Sequence, residues 1–218
     1  MRVVAIDGPA GAGKSTVARR VAVATGLPFL DTGAMYRCVA LTAVRNGVPT
    51  TDSLTVAEIA RNIDIDVRDG ITLLDGIDVS SEIRTPEVNS VVSIIATNSA
   101  VREVMREAQR RWARSAGGGV VEGRDIGTVV FPDATLKVFL TASPEVRAQR
   151  RVAEAGGDVA EVARSIAERD HIDSTREDSP LRPAPGAVVV DSSDRPIDEV
   201  VSEIVRLLSE SDKGGHDV

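Results

Sequence analysis

Residues 5–20 read AIDGPAGAGKSTVARR, and within them GPAGAGKS fits the spacing G-x-x-x-x-G-K-[ST] at Gly8, Gly13, Lys14 and Ser15. The apolar run VVAID (3–7) before it reads as a strand. The segment Lys14–Thr25 after it reads as a helix, with Val17, Val21 and Ala24 at helical spacing and Gly26 and Pro28 as stop signals. A glycine-rich turn between strand and helix lets backbone N–H groups curl around a phosphate, and the helix N-terminus adds its partial positive charge. In that frame Lys14 reaches the β and γ phosphates of a nucleoside triphosphate, and the Ser15 hydroxyl ligates Mg²⁺ beside phosphate oxygens and water.

Outward from the loop, strand-like apolar runs recur at PFLDTG (28–33), VVEGRD (120–125), LKVFLTA (136–142) and AVVVDSS (187–193). Helical patterns separate them. Ser143 and Pro144 read as an N-cap and first helical position before EVRAQRRVAEA and the stop Gly156-Gly157, and Pro196 opens a last helix, IDEVVSEIVRLL. Continuous apolar strands alternating with helices imply an α/β fold: a parallel sheet covered on both faces, with ligands at the strand C-terminal ends. One region departs from this. From Ile63 to Ile83 apolar and polar residues alternate, and Asp69-Gly70 and Asp75-Gly76 stand between apolar segments, the pattern of a small antiparallel meander. The expected organisation is a core of 1–62 and 84–218 with 63–83 inserted. The tail SESDKGGHDV reads as polar and loose.

The composition bounds the function. The 218 residues suit one domain with a modest insertion, and 42% hydrophobic with 27% charged residues suits a globular chain. A net charge of −7 argues against a broad nucleic-acid-binding face. The opening MRVVAID lacks the pattern of a secretory leader and no run reaches the length of a membrane span, so the expectation is a cytoplasmic protein with no membrane partner. Cys38 is the only cysteine and reads as a packing residue. His171 and His216 offer no metal-ligand spacing, and Trp112 reads as packing. Lysine occurs only at 14, 137 and 213, so arginine supplies almost every other cation.

A phosphate loop does not choose among a kinase, a GTP switch and a motor. The N-K-x-D pattern of guanine readers is absent, and the chain is short for an ATPase that moves polymers. The arginines are more informative. Arg147, Arg150 and Arg151 fall at i, i+3 and i+4, and Arg169, Asp173 and Arg176 at i, i+4 and i+7, so each set shares a helix face. Such forks can clamp a phosphoryl group whose charge spreads over three oxygens, or serve as ordinary salt-bridged faces. DTGAMYR (31–37) brings Asp31, Tyr36 and Arg37, and EGRDIG (122–127) brings Glu122, Arg124 and Asp125, to the strand ends on the loop side. There they are either ligand contacts or structural ion pairs.

The segments IDGPAGAGKST, LDTGAMYR, SEIRTPEV (81–88), NSAVRE (98–103), VVEGRDIGTVVFPDA (120–134) and ERDHIDSTREDSPL (168–181) resemble, in order and across nearly the whole chain, the bacterial cytidylate kinase family. The resemblance implies a P-loop nucleoside-monophosphate-kinase fold. Its parts are a five-stranded parallel sheet, a helical lid near 147–165 and an enlarged acceptor-binding insert, which the meander at 63–83 would supply. It implies ATP-Mg²⁺ on Gly8, Pro9, Ala10, Gly11, Ala12, Gly13, Lys14, Ser15 and Thr16, with Arg147 closing over the donor phosphates. Lys14, Arg151 and Arg169 would assist transfer. CMP or dCMP would be held by Thr32, Tyr36 and Arg37, the last on its phosphate, with Ser93, Arg102 and Asp125 on the base and Arg124 assisting. Asp173 and Arg176 would contact its sugar or phosphate. A monomer acting on small molecules is expected. Two alternatives stay open: a phosphate-loop kinase for another small acceptor, and a nucleotide-binding protein that transfers nothing.

Overall fold

The computed structural model describes residues 1–68 and 70–214; the Asp69 half of the Asp69-Gly70 turn, and His216, lie outside the described residues. The chain divides into two compact units, Met1–Phe29 with Ala113 onward, and Leu30–Trp112.

The first unit is built on the parallel strands β1 (Arg2–Asp7), β6 (Gly118–Gly123), β7 (Leu136–Thr141) and β8 (Val188–Asp191). With β2 (Phe29–Asp31), at which the chain leaves this unit, the sheet has five strands in the order β2-β6-β1-β7-β8. Register aligns Val4 with Val120 and Leu136, Asp7 with Gly123 and Phe139, and Thr141 with Asp191. Strand order reverses at β1, so the loop that follows it opens at the switch point where such sheets bind ligands. Apolar residues fill both sides of β1: Val3, Val4, Ala5 and Ile6 are all buried, which is why its sequence does not alternate. The helices α1 (Lys14–Thr25) and α8 (Ile197–Gly214) pack together over one face, with Val17, Val21, Val200, Ile204 and Leu208 in one cluster with Ile6 and Leu140. The C-terminus of β7 continues into α6 (Pro144–Ala155), which is followed by α7 (Val159–Thr175); Ser143 and Asp158 cap the two helices.

The second unit holds α2 (Thr32–Arg45), α3 (Ser53–Asn62), α4 (Pro86–Ile95) and α5 (Ser99–Ala116), the last running on into the first unit. It also holds a three-stranded antiparallel sheet of β3 (Ile65–Arg68), β4 (Ile71–Leu74) and β5 (Ile77–Asp78). Asp75 (φ 50°) and Gly76 (φ 79°) both take positive φ, the two-residue turn that suits a twisted hairpin. Asp75 Oδ1 accepts from the Asp64 N–H at 2.8 Å, and its own N–H donates to Asp64 O at 2.8 Å, closing the sheet end. Residues 63–83 supply the sheet and the start of a short helical turn, Glu82–Arg84; the helices around them complete the unit.

Three local expectations are corrected. The strand expected at 28–33 stops at Asp31, because the Asp31 carboxylate accepts from the Ala34 N–H at 3.0 Å and caps α2 from Thr32. The last helix starts at Ile197, one residue after Pro196. It runs through Ser209–Gly214, where a loose tail was expected: Arg206 pairs with Glu210 at 2.6 Å one turn on, and Asp212 pairs with Arg2.

Candidate active site

The phosphate loop keeps its glycines for steric reasons. A Cβ on Gly8 would stand 2.0 Å from the Leu140 carbonyl oxygen, so the β1–β7 pairing itself excludes a side chain. Gly11 (φ 75°) and Gly13 (φ 83°) are left-handed, and Gly13 caps α1 with no side-chain hydrogen bond, leaving the first N–H groups of α1 without a capping side chain. Ser15 and Thr16 are exposed on that first turn. Lys14 is 7% exposed, and its Nζ donates to Pro9 O at 2.7 Å. Burial, and after it the nearby Arg124 and Arg169 cations, push its ammonium down to about 7, against Glu122 and Asp173. Among the described residues no group of three or more His, Cys, Asp and Glu is arranged to hold a metal. An exposed hydroxyl beside a depressed lysine fits a metal carried mainly by nucleotide phosphates.

Arg124 and Arg169 complete the cationic focus. The Arg124 Nε donates to Asp173 Oδ2 at 2.9 Å; burial opposes its charge, but Asp173, together with Asp170 and Glu122, holds it above its ordinary value. Arg169 is pushed down to about 10, by burial first and then by Arg124. Asp173 stays below the usual carboxylate range: burial alone would raise it, but Arg124 and Arg169 prevail. Arg176, which follows the end of α7, faces Asp173 at 3.7 Å and Asp125 at 3.8 Å and donates from Nε to Ser179 O at 2.7 Å. The helix face expected for three residues holds only Arg169 and Asp173, because α7 ends at Thr175; Arg176 joins them from beyond the helix, and Asp173 and Asp125 link the group to the EGRDIG loop.

The other arginine set separates. Arg147 donates to Ala10 O at 3.1 Å and pairs with Asp170, whose Oδ1 accepts from the Ala10 N–H at 3.1 Å. Arg150 turns to β8, donating to Ser192 O at 2.6 Å and Ser192 Oγ at 3.0 Å. Arg151 pairs with Glu154 at 3.4 Å. A shared helix face thus sends three guanidinium groups to three different partners.

Within the second unit, α2, α4 and α5 position the remaining candidates. Arg37 donates to Ile83 O at 3.0 Å and Asn89 Oδ1 at 2.6 Å, while Asn89 Nδ2 donates to Arg84 O at 2.8 Å. Arg102, 1% exposed, donates to Ala96 O at 3.1 Å and lies over the Tyr36 ring at 5.7 Å. Thr32 and Ser93 are buried in the same unit, and Arg84 pairs with Asp31 at 3.3 Å. Thr32, Tyr36, Arg37, Ser93 and Arg102 belong to this unit; Arg124, Asp125, Asp173 and Arg176 belong to the first.

Sequence reasoning passed over Asp7, Asp170, Asn89 and Ser192. Asp7 ends a strand directly before the loop and Asp170 follows Arg169, so both carry a positional signal. Asn89 and Ser192 carry none. Cys38 is fully buried, in keeping with its packing role, and His171 is exposed.

The family model described as Cytidylate kinase matches residues 4–210. The cytidylate kinase of Desulforamulus reducens is 50% identical over 212 residues, covering 94% of this chain and 95% of that protein. That of Rhodococcus jostii is 48% identical over 222 residues, covering 98% and 97%. Among solved structures, a gluconokinase from Sinorhizobium meliloti 1021 superposes with a TM-score of 0.53 at 17% identity, covering 99% of this chain and 95% of that one, a likeness of fold alone. With the phosphate loop, its cationic surroundings and these matches together, the chain belongs to the cytidylate kinase family.

Proposed function

We propose that this enzyme moves the γ-phosphoryl group of ATP in line onto the phosphate of CMP or dCMP, giving CDP or dCDP and ADP with no covalent enzyme intermediate. The observation that carries the reading is the set Lys14, Arg124 and Arg169. Three cations pressed together against the loop, two of them well below their ordinary proton affinity, form a site whose charge a polyphosphate relieves. The acceptor phosphate is already an oxyanion, so the protein needs no strong base; it positions the groups, neutralises charge and excludes water.

The roles follow from the chemistry of each residue. Residues 8–16 wrap the donor phosphates, and Lys14 leaves Pro9 O to bridge the β and γ oxygens. Ser15 would hold Mg²⁺, which supplies charge neutralisation across those oxygens. Arg147, Arg151 and Arg169 attend the donor and transferring phosphates, the helices near 147–165 acting as lid and 63–83 as acceptor insert. Arg37 takes the acceptor phosphate with Thr32 and Tyr36 beside it, and Asp173 and Arg176 take sugar or phosphate. Asp125, Arg102 and Ser93, assisted by Arg124, read cytosine: a carboxylate accepts from the N4 amino group while a guanidinium donates to N3 and O2. Uracil reverses the hydrogen-bonding sense at positions 4 and 3, leaving buried groups unpaired at about 1–3 kcal/mol each, so UMP is disfavoured roughly 10- to 100-fold. We place the reaction on a monomer in the cytoplasm, which the single buried thiol suits.

An ADP-release assay with ATP-Mg²⁺ against CMP, dCMP, UMP, AMP and GMP tests the reading. Turnover concentrated on CMP and dCMP supports it, and loss of about 100-fold or more in Lys14→Ala supports the loop's role. Turnover on another acceptor removes the cytosine assignment; no turnover on any acceptor leaves a nucleotide-binding protein.

A further inference from the structure

The residue before the phosphate loop is tied to the segment that follows Asp125. Asp7, 3% exposed, ends β1, and its side chain points not at the loop but at the EGRDIG turn. Oδ1 accepts from the Ile126 N–H at 2.8 Å and Oδ2 from the Gly127 N–H at 2.8 Å. The turn it holds is unusual. Over Ile126–Val130 the chain makes one wide helical turn, with the Phe131 N–H donating to Ile126 O at 2.7 Å and the Val129 and Val130 N–H groups donating to Asp125 O at 2.9 and 3.2 Å. A single wide turn has no neighbouring turns to support it, and its leading N–H groups lack partners within the helix. Asp7 supplies both. Gly127 packs tightly as well, since a Cβ there would meet Ala184 Cβ at 3.2 Å and Lys137 Cγ at 3.3 Å.

We propose that Asp7 is the positioning residue for acceptor-base recognition: its carboxylate takes the two amides next to Asp125 and thereby sets the Arg124-Asp125 pair in register with the phosphate loop that Asp7 itself begins. The inference rests on the reading of Asp125 as the cytosine contact. One rigid carboxylate spans residues 119 and 120 positions apart, so the segment that reads the base is referenced to the segment that grips the donor, and neither depends on a flexible side chain. Asp7 touches no reacting atom; it acts through Asp125. A Glu would be one methylene too long at a site closed by two 2.8 Å bonds. An Asn would turn an NH₂ donor toward one of the two N–H groups.

The carboxylate also carries a readable signature. Burial raises its proton affinity to about 6, the two amide bonds oppose this, and the charged groups that face it are Asp125, which raises it, and Lys14, which lowers it. Protonation places an O–H against a backbone N–H and weakens one of the two bonds.

Two measurements test the proposal. In the wild-type chain without substrates, the amide proton shifts of Ile126 and Gly127 are followed by NMR from pH 4.5 to 8. Both should shift together as pH falls toward the raised range near 6, and Asp7→Asn should displace both amides and remove the shared titration; a titration that persists in Asp7→Asn, or amides left unmoved by that substitution, overturns the proposal. In Asp7→Asn, the ratio of kcat/KM for CMP over UMP should fall by about tenfold, with ATP affinity measured without acceptor changed less than about threefold. Equal losses for ATP and CMP with an unchanged ratio overturn it in favour of a purely structural role. Asp125→Ala is the control. A lowered ratio in Asp125→Ala beside an unchanged one in Asp7→Asn overturns this inference alone, while an unchanged ratio in Asp125→Ala overturns the base-reading assignment on which it rests.

Discussion

Cys38 shows how strongly one residue's chemistry depends on its surroundings. Its side chain is fully buried on α2, and its thiol is pushed up to about 12, by burial first and then by the Asp31 and Asp75 carboxylates. Native protein at pH 8 should therefore react with iodoacetamide at least about 100-fold more slowly than urea-unfolded protein, as mass spectrometry over time would report. The sign of the pH effect follows. Unfolded, the thiol loses its proton near its ordinary 9, whereas folded it holds it to about 12. Between those values the native state binds the extra proton, so stability falls as pH rises, by up to about 1.4 kcal/mol per pH unit. Urea unfolding of wild type and Cys38→Ala at pH 8 and 10 checks this: the gap between the two chains should shrink at pH 10, and a constant gap refutes it. Nothing in YRCVALTAV except the helical spacing of its apolar residues announces this burial, and that spacing was legible.

At the scale of elements, α6 and α7 are held to the phosphate loop through Ala10. Arg147 takes its carbonyl oxygen and Asp170 its N–H, and the two side chains pair with each other. Removing one partner strands the other, so Asp170→Ala should cost about 2–4 kcal/mol in urea unfolding. It should also raise the KM for ATP more than that for CMP, because the loop would lose its hold on the helices we propose as the lid over the donor. Asp170→Asn, which keeps an acceptor for the Ala10 N–H, should recover part of the ATP affinity, and steady-state kinetics on both variants would show whether it does. The first of these helices was readable from its cap, Ser143, and from the stop at Gly156-Gly157; the cap of the second, Asp158, came only with the structure. Their partners were not: a guanidinium at the end of a long flexible stem selects among groups that sequence spacing does not bring into view, and Arg147, Arg150 and Arg151 selected three different ones.

For the whole molecule, binding and stability are linked. ATP-Mg²⁺ at about 100 times its dissociation constant should stabilise the chain by about 2.7 kcal/mol, which for some 200 residues raises the melting midpoint by about 5–10 °C. Lys14→Ala should lose most of that shift while melting near the wild-type temperature without nucleotide, and a calorimetric scan of both chains would decide. What the amino-acid order determined by itself was whatever rests on local rules and periodicity. The doubly covered strands, the glycine loop between β1 and α1, the Asp75-Gly76 hairpin turn and the helix caps each depend on residues within a few positions of one another. Only the tertiary structure decided what depends on reach across the chain: Asp7 closing on Ile126 and Gly127, Ala10 gripped by Arg147 and Asp170, and Arg102 laid over Tyr36. These partners lie tens to well over a hundred positions apart, and the sheet register and helix packing that bring them together arise from the burial of the whole apolar core rather than from any local pattern.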